Sequence, residues 1–490
     1  MLKIFNGKRE IIFLGIFLAS GFFIRLKNLF TNYSFWNDEE HVAIFVRAIL
    51  ERGEPILRNG YTTEFYQFLY YWISSFLPKF FGLSEFTLRF PSVIFGILTI
   101  VVVYLLSREL FDKRVGLVAS FFATFLNIEI LMSRQLRPYQ ALQFFSILSC
   151  LFLYKILKSK KIEFKYLLGF LFSGAIASLM HGLGLLIFAS GIFAIVSLKP
   201  NFLKSPRIFL YIIFVLGLAF IFKDNIFSLL QRIGEVNNIF YYKSFFVSNY
   251  LIFALLSFLA FFLGLKRKKC EIFLLAIFIL IQFLVIFFVL PQPFIRYLYP
   301  VFLFFIILSA FSLVEISKRF KKFNLLGLGL LVFLVVSLLP GKFSFLPKEA
   351  YSLNEDMQEI PEVDYKKIYE FVKPKLEANP EAIFISNWND HPVWYLGEGK
   401  LDYLLRNEER YDIDPFSGTI IIKSTKDLKD VTKKNDKGLI LLESWESELP
   451  EGSREFVREN MHKEFEIDRL YQVQPRYWPV EIYSWGIYEN

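Results

Sequence analysis

Residues 91–132 read PSVIFGILTIVVVYLLSRELFDKRVGLVASFFATFLNIEILM. Two apolar runs, 91–107 and 116–132, flank a short loop that holds Arg108, Lys113 and Arg114. Each run has the length a helix needs to cross a bilayer, about 17–25 residues. A short basic loop between two such runs is the kind that stays in the cytoplasm. The same unit recurs outward along the chain. Further apolar runs lie near 11–29, 139–156, 166–181, 183–198, 207–222, 249–265, 272–290, 297–315 and 324–340. The expected fold class is therefore a polytopic α-helical membrane protein with about eleven spans. Composition agrees: of 490 residues 55% are hydrophobic and 61 are Phe, with a mean hydropathy of +0.44. That is more apolar surface than a soluble core can hide, so lipid must solvate part of it.

The loops alternate in charge. One set holds Arg108, Lys113 and Arg114; Lys155, Lys158, Lys160, Lys161 and Lys165; Lys199, Lys204 and Arg207; Lys266, Arg267, Lys268 and Lys269; and Lys318, Arg319, Lys321 and Lys322. The other set is poor in Lys and Arg, with Arg134 and Arg137, then none, then Lys223, Arg232 and Lys243, then Arg296. The positive-inside rule puts the first set and the N-terminus in the cytoplasm. An odd number of spans then leaves the C-terminal region extracytoplasmic, in a multi-pass protein of the cell membrane. The N-terminus, with Lys3, Lys8 and Arg9 before an apolar stretch and Ala19-Ser20-Gly21 behind it, also has the form of a signal peptide. Retaining it as a span makes every later loop obey the charge rule. Residues 65–81, FYQFLYYWISSFLPKFF, would invert that pattern if they crossed. Their Tyr and Trp content suits an interfacial helix instead.

Net charge is +9, but it is unevenly held. Residues 341–490 carry 20 Lys and Arg against 30 Asp and Glu, which leaves 35 against 16 in residues 1–340. The basic half is the membrane half and the soluble half is acidic, so no nucleic-acid partner is expected. Two cysteines, Cys150 and Cys270, form no disulfide framework. No internal repeat is visible. The domain boundaries expected are 1–340 for the membrane region, with a first external loop at 30–90, and 341–490 for a soluble α/β domain. In the latter, a helical pattern at 364–378 precedes a strand-like AIFIS (382–386). GTIIIKS (418–424), a helix at 425–435 and GLILLES (438–444) follow. Strands alternating with helices suggest a parallel sheet. No glycine-rich phosphate loop follows any strand.

The polar residues that stand out fall on the Lys-poor side. Asn37-Asp38-Glu39-Glu40-His41 comes shortly after the first span. One reading is helix capping, with Asp38 at the cap and acids in the first turn favoured by the helix dipole. The other is a carboxylate held near the membrane surface as a general base. Ser133-Arg134-Gln135-Leu136-Arg137-Pro138-Tyr139 lies between the third and fourth spans, and Arg296-Tyr297 enters a late one. These arginines either snorkel to headgroups or hold a lipid phosphate with a planar, bidentate fork. His181 ends the fifth span and Glu64 precedes the interfacial helix. Each has a bland reading, as a structural hydrogen-bonder and as a first-turn acid.

These residues resemble a family. An acidic pair just after the first span, Asp38-Glu39, is similar to that of the polyprenyl-phosphate-sugar-dependent glycosyltransferases of the GT-C fold, the protein O-mannosyltransferase and aminoarabinose transferase group. EFTLRFPS (85–92) running on through VIFGILTIVVVYLLSRELFDKRVGLVAS resembles that group's conserved block. SRQLRPYQALQFFSILS resembles its next one, with Arg137 and Tyr139 at the expected arginine and tyrosine. Arg296-Tyr297 resembles a pair before a late span. Residues 30–160 carry most of the likeness. The group's Lys-Pro-Pro segment is absent; Thr63-Glu64-Phe65-Tyr66-Gln67 stands there.

The resemblance implies transfer of a monosaccharide, with inversion, from a dolichyl- or undecaprenyl-phosphate donor to a hydroxyl of a protein, lipid or glycan acceptor at the outer face. It implies Asp38 and Glu39 as catalytic carboxylates. Arg137, Tyr139, Arg296 and Tyr297 would bind the donor phosphate, and Glu40, His41, Glu64 and Arg134 would line the sugar or acceptor site. A divalent metal (zinc, magnesium or manganese) between Glu64 and His181 is a further expectation, since a carboxylate and an imidazole are suitable ligands. The competing class is a lipid or glycan transporter, which places ionisable groups near mid-membrane and often repeats its halves. Few charges lie deep in these spans; Glu129 is the nearest exception.

Overall fold

The computed structural model describes residues 8–30, 34–62, 67–232, 234–357, 362–443, 448–468 and 479–487. Two compact units are present. One comprises 1–30, 65–70 and 89–357; the other comprises 31–64, 71–88 and 358–490. Residues 31–64 and 71–88 thus group with the C-terminal region.

In chain order the helices of the first 340 residues are α1 (Lys8–Leu26), α2 (Asn37–Arg52), α3 (Phe68–Phe76), α4 (Pro78–Phe81), α5 (Glu85–Leu110) and α6 (Lys113–Phe125). Then come α7 (Asn127–Met132), α8 (Tyr139–Lys158), α9 (Phe164–Met180), α10 (Leu186–Leu198), α11 (Arg207–Ile221) and α12 (Lys223–Leu230). The series ends with α13 (Ile239–Asn249), α14 (Leu251–Arg267), α15 (Cys270–Phe288), α16 (Ile295–Ser317) and α17 (Asn324–Ser337). Every one of the eleven apolar runs is helical. Among the described residues α5, α8, α15 and α16 are each long and apolar enough to cross a membrane alone. Helices α13 and α14 pass that test together but bend by 104° at their junction. Helices α9 and α11 are shorter apolar helices. Helix α3, in the ambiguous 65–81 segment, has nine residues. At about 1.5 Å each, that is roughly half the hydrocarbon thickness.

Local chemistry sets the breaks. Helix α6 opens at Asp112, whose carboxylate accepts from the amides of Arg114 (2.8 Å) and Val115 (3.1 Å), a capping that satisfies two orphan donors. The run 116–132 is interrupted at Leu126, which takes an extended conformation and bridges to Phe343. Asn127 donates its amide to the carbonyl of Lys342 (2.9 Å) and accepts from the Ser344 hydroxyl (2.6 Å). Helix α16 is the centre of this unit. It packs on α6, α8, α14, α15 and α17 and is buried nearly all round, as an apolar helix without a polar face should be. Lipid tails are as apolar as leucine, so packing and interhelical hydrogen bonds hold such helices together. Here Ser309 and Ser312 donate to the carbonyls of Phe253 (2.9 Å) and Leu256 (2.7 Å), and Ser257 returns a bond to Phe305 (2.8 Å).

The C-terminal region adds α18 (Tyr365–Ala378), β1 (Ile383–Ser386), α19 (Asp390–Tyr395), β2 (Tyr403–Leu405), β3 (Ile420–Ile422), α20 (Thr425–Lys434), β4 (Gly438–Leu442), α21 (Ser453–Asn460), β5 (His462–Ile467) and β6 (Val480–Trp485). The sheet order is β3-β2-β1-β4-β6-β5. The first four strands are parallel, as the alternation of strands and helices predicts. Strands β6 and β5 add an antiparallel edge that the sequence pattern does not reveal. Helix α18 covers one face, over Phe384, Leu404, Leu439 and Ile482; α20 and α21 cover the other, over Ile385, Ile440 and Leu442.

Candidate active site

In the membrane unit, three helix ends bring distant residues together. Arg137 and Tyr139 sit at the start of α8, His181 at the end of α9, and Arg296 and Tyr297 at the start of α16. The His181 ring centroid lies 5.1 Å from that of Tyr139 and 6.2 Å from that of Tyr297, and the two tyrosines are 6.4 Å apart, edge to face. The Arg137 guanidinium lies 5.4 Å from the Tyr139 ring; that of Arg296 lies 3.8 Å from Phe294 and 5.7 Å from Tyr297. Both arginines are more than nine-tenths buried, and both act electrostatically on His181. The four residues expected to bind the donor phosphate, and His181, therefore form one cluster.

The backbone fixes the cluster's three pieces. At the end of α9 the chain turns back sharply: the Gly184 amide donates to the His181 carbonyl (2.8 Å), and the Leu183 amide donates to His181 Nδ1 (3.2 Å). A Cβ at Gly184 would stand 2.3 Å from the backbone of Ala177, so only glycine allows this approach. The start of α16 is tied by a buried network that sequence reading missed. Tyr299 donates to Glu129 (2.8 Å) and is 2.6 Å from Gln140 Oε1; Gln143 donates to Glu129 (3.2 Å) and to the Tyr299 carbonyl (3.0 Å). Glu129 is thus a structural acceptor joining α7, α8 and α16.

Arg134 stands apart. Its guanidinium donates to the carbonyls of Ile24 (3.3 Å), Arg25 (2.9 Å), Lys27 (2.7 Å) and Asn28 (3.1 Å), and it is 1% exposed. It caps the end of α1, where carbonyls lack intrahelical partners.

The acidic residues lie on α2 in the other unit. The helix begins at Asn37, with Trp36 at the cap and no side-chain cap bond, so Asp38 is inside the first turn rather than the cap itself. Asp38, Glu39 and Glu40 all stand in that turn, where the helix dipole favours negative charge. Asp38 and His41 are partly buried; Glu39 and Glu40 are buried. The helix ends in a left-handed Gly53, φ 84°, whose amide bonds Ile49. Its apolar residues Val42, Ile44, Phe45, Val46 and Ile49 are buried. His41 stacks on Phe416 at 5.0 Å and lies 3.9 Å from Asp390.

The metal expectation meets a poor donor set. His181 spends Nδ1 on a backbone amide and has two arginines as electrostatic neighbours, which repel a divalent cation. Among the described residues no three of His, Cys, Asp and Glu come together as a metal-binding group. Glu64, the expected second ligand, lies outside the described residues.

Comparison with known proteins follows the same lines. Residues 67–227 match the family described as dolichyl-phosphate-mannose-protein mannosyltransferase. No curated protein matches the chain in sequence. ArnT from Cupriavidus metallidurans, in a structure bound to undecaprenyl phosphate, is similar at a TM-score of 0.62 and 12% identity, over 97% of this chain and 98% of that one. The Archaeoglobus fulgidus oligosaccharyltransferase in the apo form gives 0.59 and 13% over 89% and 70%. AglB from the same organism, in complex with an inhibitory peptide and a dolichol-phosphate, gives 0.59 and 12% over 88% and 69%. The protein thus has the GT-C fold of ArnT and AglB, and its residues 67–227 match the dolichyl-phosphate-mannose-protein mannosyltransferase family.

Proposed function

We propose that the protein is a membrane glycosyltransferase that moves a monosaccharide from a polyprenyl phosphate to an acceptor hydroxyl at the outer membrane face, with inversion at the anomeric carbon. The observation that carries this reading is the Arg137–Tyr139–His181–Arg296–Tyr297 cluster. It offers two buried guanidinium groups to one phosphate, with aromatic rings around them. The ligands bound in the similar structures, undecaprenyl phosphate and dolichol-phosphate, are molecules of that chemistry.

The reaction has two needs. The leaving group, a lipid phosphate, is already a stable anion and needs its charge held rather than a proton donated; Arg137 and Arg296 serve that role. The acceptor hydroxyl is a weak nucleophile until its proton is removed, and Asp38 is the base, with Glu39 beside it. Attack from the side opposite the phosphate inverts the anomeric centre.

The test begins with lipid that co-purifies with the protein. Mass spectrometry should find a polyprenyl phosphate bearing one sugar, and that lipid, returned to proteoliposomes, should lose its sugar to an acceptor. Purified protein that retains no polyprenyl phosphate, and does not bind added undecaprenyl or dolichyl phosphate, would refute the proposal.

A further inference from the structure

The sheet of the C-terminal region changes direction between β1 and β4. From β1 the chain passes through α19 to β2 and β3, then returns through α20 to β4 on the other side of β1. Tyr395, at the end of α19, packs in the core on the α18 face, whereas α21, which follows β4, packs on the opposite face. Connections that diverge in this way leave a crevice at the carboxyl ends of the two strands, the place where open α/β sheets bind ligands. In this protein the residues at that crevice meet α2. The two helices run in the same direction: His41 is 3.9 Å from Asp390 at the start of α19, and Arg47 donates to the carbonyls of Val393 (3.0 Å) and Trp394 (2.5 Å) near its end. The Arg47 guanidinium also lies 4.3 Å from the centre of the Trp394 ring. Arg47 thus satisfies carbonyls that a six-residue helix cannot satisfy itself.

Glu40 shares a helix face with Ile44 and Arg47, at the i, i+4, i+7 spacing. It is fully buried, and neither carboxylate oxygen has a hydrogen-bond partner among the described residues. Beneath it lies a network built from both strand ends. His391 Nε2 is 3.1 Å from Glu443, His391 Nδ1 is 2.7 Å from the Tyr369 hydroxyl, and Tyr365 donates to Glu443 at 2.9 Å. On the other flank Glu85 pairs with Lys366 (2.6 Å) and accepts from Tyr395 (3.0 Å).

We infer that α2 is the built-in occupant of this crevice, and that Glu40 is the positioning residue that holds the Asp38-bearing turn against the α/β domain. The inference rests on the reading of Asp38 as the base. Ionised, Glu40 would face Glu39, Glu85, Asp390 and Glu443, while Lys366 is paired with Glu85, His41 is beside Asp390, and His391 is bonded to Glu443. Burial first, and then those carboxylates, push Glu40 well above the usual carboxylate range. An undocked α2 carries an ordinary glutamate. Docking is therefore strongest below the ordinary glutamate range, and weakens as pH rises from there through the docked value.

The test uses the full-length protein in lipid nanodiscs. Amide exchange of residues 37–52 is followed from about pH 5 to 9 and corrected for intrinsic rates; protection should fall by up to about tenfold per pH unit in the linked window, the slope for one proton. Glu40→Gln should remove that dependence and, with it, any matching alkaline fall in sugar transfer from the co-purified donor lipid. Asp390→Asn, which removes one facing charge, lowers the docked value, so the fall should be smaller and end at lower pH than in the wild type, and it decides the matter if Glu40→Gln does not fold. A wild-type profile that is flat with pH, or one left unchanged by both substitutions, overturns the inference. Asp38→Asn separates the two readings: if it transfers sugar normally while the exchange results hold, only the catalytic assignment fails.

Discussion

Asp38 and the arginine pair divide the proposed reaction into a proton to be removed and a charge to be held, and substitutions should separate these roles. Asp38→Asn keeps the shape and removes the base. Turnover should fall by about 10²–10⁴-fold, the usual contribution of general base catalysis, with donor-lipid affinity unchanged. Steady-state transfer beside lipid-binding titration measures both, and near-normal turnover would move the role to Glu39. Arg137→Ala and Arg296→Ala should each lose charge-assisted bonds worth about 1.5–3 kcal/mol, or about 10- to 100-fold in affinity for undecaprenyl phosphate. Unchanged affinity in both would return these arginines to snorkelling. The sequence singles them out because arginine on the Lys-poor side of a membrane protein goes against the charge rule, and the structure brings the two to one cluster with His181. Arg134, in the same turn, gave an identical signal and caps α1 instead. Sequence spacing does not tell a carbonyl-binding guanidinium from a phosphate-binding one. His391 and Glu443 were not legible at all, since 52 residues separate them and only the pairing of β1 with β4 brings them together.

At the scale of elements, apolar run length was enough to locate the apolar helices, and what it missed are breaks made by tertiary hydrogen bonds. Asn127 splits α6 from α7 because its backbone and side chain bond the segment after α17, which no local pattern announces. Strand β2, three residues long, is too short for a period-two signal. Two element-scale predictions follow from the turns. Gly184→Ala places a methyl against the backbone of Ala177 and Ser178, and overpacking of this kind costs about 1–3 kcal/mol. It should lower the melting temperature and also weaken undecaprenyl phosphate binding, because the same turn sets His181. Thermal unfolding of the purified protein with and without lipid measures both effects; a fall in stability with unchanged lipid affinity would detach His181 from the phosphate cluster. Asp112→Ala removes the cap of α6 and should cost about 1 kcal/mol of stability. Lipid affinity should be untouched, which makes it the control for Gly184→Ala.

Across the whole membrane unit, charge and chemistry separate along three helices. Helix α8 has Tyr139 at its start and Lys155 and Lys158 in its last turn. Helix α9 has Lys165 in its first turn and His181 after its end, and α16 runs from Arg296 to the basic segment that begins at Lys318. The cluster proposed to hold the phosphate therefore occupies the helix ends remote from the lysines. If the lysines are cytoplasmic, as the positive-inside rule requires, the cluster is reached from outside. The chain carries its own reporter of this arrangement. Cys270 is exposed at the start of α15, directly after Lys266, Arg267, Lys268 and Lys269, and the other cysteine, Cys150, is buried. A membrane-impermeant maleimide should leave Cys270 unlabelled in intact cells and label it after permeabilisation. A cysteine introduced beside Asn490 should behave in the opposite way, because from the basic segment after α16 a single crossing by α17 carries the chain outside. This second result does not depend on the total number of spans, nor on whether residues 65–81 cross. Labelling of Cys270 in intact cells would invert the whole orientation and put the phosphate cluster on the cytoplasmic face. Protection of both sites would mean that α17, with 14 residues, turns back without crossing.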